Sequence, residues 1–249
     1  MKVALFIPCY VDQFYPQVAI ASLELLEKLG CEVVYPQGQT CCGQPMANSG
    51  CEQDAVAAYQ HFVELFSEFD YIVAPSGSCT YHVRKHYDIV PQTEAVQHIR
   101  NRTLDLAEFL LDVMKVDKID VSFPHKIGLH QSCHGLRGLR LGQSSERNGP
   151  AFSKIGQLLS MVDGVEMVDL DRSDECCGFG GTFAVNEASI SVKMGQDRIA
   201  DHQRNGAEVI VAGDMSCLMH LEGLIRRKGQ QLPVRHLAEI LNGTKITSS

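Results

Sequence analysis

The chain has 249 residues, 45% of them hydrophobic and 21% charged, with a formal net charge of −8. That length holds one large domain or two smaller ones around a real core, and the negative balance argues against nucleic acid and anionic membrane surfaces as partners. Its ten cysteines are too sparse for a disulfide scaffold, and adjacent cysteines bridge each other poorly, so free thiols in a reducing cytoplasm are expected.

The first predicted element is a strand over Val3–Pro8, which leads directly into Cys9. Its apolar run ends at Pro8, short of a signal-peptide core, and no stretch of the chain approaches the roughly 18 apolar residues of a membrane span. Between Pro16 and Leu29, apolar residues recur at Val18, Ala21, Leu25, Leu26 and Leu29, the spacing of one helix face. Pro16 suits the first turn of that helix and Gly30 its C-terminal cap. Glu32–Tyr35 reads as a second strand. Cys41-Cys42-Gly43 then falls in a loop, before a helix predicted over Glu52–Phe69 with Val56, Tyr59, Val63 and Phe66 on one face. A third strand, Tyr71–Ala74, leads to Ser78 and Cys79, and the pentapeptide Leu106–Leu110 closes this half.

The second half repeats the plan. A strand over Lys126–His130 leads to Cys133, helices are predicted near Ala151–Val162, Asn186–Arg204 and Cys217–Arg227, and Cys176-Cys177-Gly178 occupies a loop. Strand Val209–Ala212 leads to Ser216 and Cys217, and Leu237–Leu241 closes the half. Matched points lie 124 (Cys9 to Cys133), 135 (Cys41 to Cys176), 138 (Cys79 to Cys217) and 131 (Leu106 to Leu237) residues apart. So small a drift indicates a duplication with insertions in loops. Alternating strands and helices predict an α/β fold of two tandem, pseudo-duplicated halves, each a mainly parallel sheet flanked by helices. The polar stretch Lys115–His125 marks the expected boundary, giving units 1–120 and 121–249.

Eight of the ten cysteines fall in two sets of one shape: Cys9, Cys41, Cys42, Cys79 and Cys133, Cys176, Cys177, Cys217. Four of them (Cys9, Cys79, Cys133 and Cys217) sit just past predicted strand ends, where open α/β sheets bind ligands. Soft thiolates gathered in this way suit iron–sulfur clusters. Gly43 and Gly178 let the backbone approach, and their N–H groups can donate to sulfur.

These residues resemble those of the lactate utilization protein A family of cysteine-rich CCG domain proteins. The resemblance covers essentially the whole chain. It is most specific in Cys41-Cys42-Gly43-Gln44-Pro45, in Pro75–Tyr81 and in Glu175–Phe183. More distant relatives are the B subunit of heterodisulfide reductase and the iron–sulfur subunit of glycolate oxidase. The resemblance implies a duplicated α/β fold, iron–sulfur binding and a role in oxidising L-lactate to pyruvate beside other lactate-utilization subunits, including a second iron–sulfur protein. The heterodisulfide reductase pattern ends in Cys-x-x-Cys, whereas Ser76 and Asp214 stand at the first of those positions here. Four thiolates per set suit an ordinary 4Fe–4S cube, with Ser76 or Asp214 open as an oxygen ligand.

Other readings compete. Zinc also takes four thiolates and is possible in one half, although the usual Cys-x₂₋₄-Cys pairs are missing. A nucleophilic or thiol-redox enzyme would need a Cys-x-x-Cys motif or an orienting acid near His134, and the sequence shows neither. A redox subunit acting on glycolate or a disulfide is the alternative in function. His130 and His134 flank Cys133 as ligands, as donors around a ligand, or as plain loop residues. Cys31 and Cys51 lie outside the pattern and read as small packing residues. Gly178-x-Gly-Gly is not a dinucleotide fingerprint, because Phe183 occupies the third glycine position. Arg137, Arg140, Arg226 and Arg227 read as solvated faces. No residue is assigned as a general base or hydride acceptor.

Overall fold

The β-branched runs become the central strands of two sheets in a computed structural model that describes residues 1–244. In the first half β1 (Lys2–Leu5), β2 (Glu32–Val34), β3 (Tyr71–Ala74) and β4 (Thr103–Asp105) form a parallel sheet in the order β2-β1-β3-β4. In the second, β5 (Lys126–Leu129), β6 (Glu166–Met167), β7 (Val209–Ala212) and β8 (Val234–His236) form a parallel sheet in the order β6-β5-β7-β8. The inner strands β3 and β7 are apolar along their length because helices cover both faces. The expected pseudo-duplicated α/β architecture is therefore present, sheet for sheet.

Several elements differ in extent from their sequence patterns. The helix expected over Glu52–Phe69 is a 3₁₀ turn, Glu52–Ala55, running into a helix over Val56–Phe66. The helix expected over Asn186–Arg204 breaks at Glu187, whose non-helical backbone (φ −119°, ψ 44°) separates Phe183–Asn186 from Ala188–Arg204. The one expected near Ala151–Val162 is the short Lys154–Leu159, with the Ser153 side chain capping its first turn. The helix after Cys9, Cys9–Phe14, is a single short element that periodicity could not register. Among the described residues no helix is long and apolar enough to cross a membrane.

One apolar core runs through both halves. It joins Val18, Leu25 and Leu26 of the helix Pro16–Lys28 to Leu237, Ile240 and Leu241 near the end of the chain. Each such side chain, nearly fully buried, contributes about 1.5–3 kcal/mol by leaving water. A second cluster, built on stacked Phe62 and Phe66 with Phe6 edge-on, belongs to the first half alone. Polar contacts also cross between halves. Tyr15 donates to Glu222 at 2.6 Å, and Asn242 joins Lys28 and Glu24, each at 2.6 Å. Beside the cysteines the two backbones nearly touch. A Cβ on Gly77 would lie 3.1 Å from Cα of Gly135.

Candidate metal centre

Every patterned cysteine is delivered by the turn that follows a strand or by the Cys-Cys-Gly loop. Cys9 opens the helix after β1, and Cys79 lies in the first turn of the helix Gly77–His86 after β3. Cys133 immediately precedes a π-helical turn, His134–Gly138, after β5, and Cys217 lies in the first turn of Met215–Arg227 after β7. Gly43 and Gly178 take left-handed backbone (φ +87° and +86°), which turns each Cys-Cys pair back toward the sheet end. A Cβ at Gly178 would lie 2.7 Å from the carbonyl oxygen of Ser191, so both the turn and the space require glycine.

The structure brings the four cysteines of each set together. Cys9 Sγ lies 3.9 Å from Cys41 Sγ, and Cys41, Cys42 and Cys79 lie near enough to shift one another's ionisation. In the second set Cys133, Cys176, Cys177 and Cys217 are coupled in the same pattern. Burial matches pair by pair: Cys9, Cys41, Cys133 and Cys176 are half-buried, and Cys42, Cys79, Cys177 and Cys217 are buried. Both sets open into one cavity of about 660 Å³, lined by all eight cysteines, rather than into separate clefts. Tyr10 of the first half and Phe179 of the second meet edge-on across it, with ring centroids 5.8 Å apart.

The electrostatics are those of thiolate sites. Cys41 is held well below the usual thiol range by hydrogen bonds from Cys42 and then Cys9, with further help from the Gly43 N–H. Cys176 is lowered in the same way by Cys133 and then Cys177. Their neighbours Cys42 and Cys177 are pushed up, because they donate to those thiolates and are buried. Backbone donors favour the thiolate form in the second set: Gly178 N–H reaches Cys176 Sγ at 3.3 Å, and Phe179 N–H reaches Cys177 Sγ at 3.4 Å, opposing the rise of Cys177. In each set the first thiol of the Cys-Cys pair is thus the one most easily ionised, and thiolate is the form that binds metal.

Ser76 and Asp214 line the same cavity, but their oxygens are occupied. Ser76 caps the helix that carries Cys79, accepting from the Cys79 N–H at 3.3 Å. Asp214 caps the helix that carries Cys217, accepting from Ser216 N–H at 3.2 Å and Ser216 Oγ at 2.6 Å. Its other oxygen crosses to the first half, accepting from Ser78 N–H at 2.8 Å. Both residues work as helix caps, and one carboxylate ties the two cysteine-bearing helices together.

Four histidines near the sulfurs differ in their surroundings. His82 and His220 sit three residues after Cys79 and Cys217, at the same repeat offset of 138, a signal that comparing the two halves could have found. His82 pairs with the Tyr59 hydroxyl at 2.9 Å, and burial lowers it to about 3, so it is neutral. His130 is fully buried, and its ring lies within 4.8 Å of the sulfurs of Cys177 and Cys217. Arg198, fully buried beside it, is the residue that sequence patterns did not single out. His134 lines the cavity against Tyr81, with ring centroids 5.3 Å apart. Cys31 packs in the core as expected, whereas Cys51 is exposed. Arg137, Arg140, Arg226 and Arg227 lie on exposed faces.

The comparisons with known proteins agree with this geometry. The profile of the cysteine-rich domain family CCG matches residues 3–84 and 127–222, one match for each half. Lactate utilization protein A of Halalkalibacterium halodurans is 39% identical over 99% of this chain and 99% of its own length. That of Bacillus subtilis is 39% identical over 97% of this chain and 99% of its own. Among solved structures, a putative Asp/Glu racemase from Yersinia pestis aligns with 97% of this chain and 96% of its own, at 15% identity and a TM-score of 0.37, a likeness from which nothing follows about function.

Proposed function

The chain belongs to the lactate utilization protein A family of cysteine-rich CCG domain proteins, and on that footing we propose that it is the iron–sulfur electron carrier of a multi-protein, cytoplasmic system oxidising L-lactate to pyruvate. The observation that carries the proposal is the pair of matched four-thiolate sets on one cavity. Cys9, Cys41, Cys42 and Cys79 hold one 4Fe–4S cluster, and Cys133, Cys176, Cys177 and Cys217 hold the other. A bound cluster supplies a one-electron relay whose potential depends on burial and on hydrogen bonds to sulfur. The protein's part is to supply thiolates from rigid helix starts and to aim backbone N–H groups at them.

Zinc fits less well. A tetrahedral zinc at about 2.3 Å from each sulfur draws four thiolates into one compact group. Among the described residues, the one group of three possible ligand atoms mutually within 4.8 Å is His130, Cys177 and Cys217, and it leaves out the other six patterned cysteines.

Removing two electrons and two protons from a hydroxy acid is normally the work of a flavin or nicotinamide, and the residues around this cavity form no recognisable site for either. A partner of the same system that carries such a cofactor therefore completes the reaction. The test is lactate-dependent reduction of an artificial acceptor by anaerobic protein, with and without the partner subunits. Activity is expected only with the partners. Robust turnover by this chain alone would refute the carrier role and make it the catalytic subunit.

A further inference from the structure

The two cysteine sites match in their thiols but differ at neighbouring positions: Ser76 stands against Asp214, Tyr10 against His134 and Phe6 against His130. The residue 124 before His130, the offset that relates Cys9 to Cys133, is Phe6. Phe6 is buried among Phe62 and Phe66 and has no polar atom to offer the first site. His130, in the same place after β5, has a ring nitrogen within 4.8 Å of the sulfurs of Cys177 and Cys217. Its two nitrogens are in different situations. Arg198 Nε donates to Nδ1 at 3.3 Å, whereas Nε2 is buried with no partner among the described residues.

Arg198 cannot turn away. Its guanidinium is fully buried and also donates to Asp201 at 3.1 Å, to the carbonyl of Leu129 at 3.4 Å and to that of Arg172. A guanidinium has donors only and keeps its protons in proteins. Nδ1 must therefore be the accepting nitrogen, and in neutral imidazole the proton then sits on Nε2. A nitrogen that carries a proton has no lone pair for a metal, so the closeness of His130 to two sulfurs does not make it a ligand.

We propose that the unpartnered Nε2–H of His130 is a built-in donor to the sulfur of a cluster bound at the second cysteine site, that Arg198 positions it by fixing its tautomer, and that this makes the second site a stronger electron acceptor than a phenylalanine in the same place would. The inference rests on the iron–sulfur reading for its redox consequence but not for the tautomer. A hydrogen bond to cluster sulfur favours the reduced, more negative state. His82 and His220 occur in both halves, and Ser76 and Asp214 both serve as helix caps, whereas Phe6 has no polar atom to set against His130.

The tautomer is tested by ¹⁵N NMR of the full, histidine-labelled chain without metal, with the signal assigned by its loss in His130→Gln. An unprotonated Nδ1 and a protonated Nε2 are expected. The reverse tautomer overturns the inference whatever metal the protein carries. In the anaerobic holoprotein, His130→Phe should lower one midpoint potential, leave the other and retain the iron, while His130→Gln, which keeps an N–H, stays near wild type. Loss of the second site's iron would make His130 a ligand, and unchanged midpoints would make it structural. Either result overturns the proposal. Should His130→Phe fail to fold, His130→Leu reads the same loss of the donor, with the tautomer measurement standing by itself. Should the protein prove to hold zinc, the redox titration is silent and the tautomer still decides.

Discussion

Asp214 offers the sharpest test of how the two halves are held together. It is 1% exposed and accepts four hydrogen bonds: Ser78 N–H at 2.8 Å, Ser76 Oγ at 3.4 Å, Ser216 N–H at 3.2 Å and Ser216 Oγ at 2.6 Å. Asp214→Ala removes an N-cap, worth about 1 kcal/mol, and strands the buried Ser78 N–H, at about 1–3 kcal/mol. The cap is the bond from Ser216 N–H, which is part-buried. The sum is on the order of 2–4 kcal/mol, a large part of the roughly 5–15 kcal/mol that keeps a domain folded. Asp214→Asn keeps one accepting oxygen and should cost about half as much, on the order of 1–2 kcal/mol. Urea denaturation of the two variants measures both figures. Because Cys79 and Cys217 lie in the first turns of the helices it holds, Asp214→Ala should also loosen metal from both sets, and Asp214→Asn should not. A loss below about 1 kcal/mol in Asp214→Ala would refute the cap. Metal lost from Asp214→Asn at unchanged stability would instead make the carboxylate a ligand.

Two further outcomes follow from the site and its surroundings. Burial pushes the Asp105 carboxyl up to about 8, against the pull of the Ala107 N–H. The unfolded chain releases this proton near pH 4 and the folded chain keeps it until about pH 8, so wild-type stability falls as pH rises through that window. Asp105→Asn removes this slope, and its urea midpoint relative to wild type should rise from pH 5 to pH 8, whereas a constant difference would contradict the assignment. Cys42→Ser should strip iron from the first set and spare the second, and Cys177→Ser the reverse, because each set's cysteines are coupled to one another within their own half. If either substitution emptied both sets in a folded protein, the ligands must be shared across the common cavity.

The cysteine sets were legible because duplication writes the same spacing twice, and packing alone does not require that. The strands were legible because β1, β3, β5 and β7 are short apolar runs ending at turn residues. What stayed hidden depends on contacts between residues far apart in the chain. Ser76 and Asp214 were open as metal ligands, because a sequence does not show that their oxygens are filled by Cys79, Ser216 and Ser78 backbone donors. Two four-cysteine sites were expected at separate sheet ends, yet the halves pack so that both face one cavity. Arg198 carries no motif, and its weight comes from burial against His130 and Asp201.

Iron and acid-labile sulfide in anaerobically purified protein test the central claim most directly. The account predicts a brown protein that contains both, with iron divided between the Cys42 and Cys177 sets. A colourless protein holding stoichiometric zinc and no sulfide would contradict it.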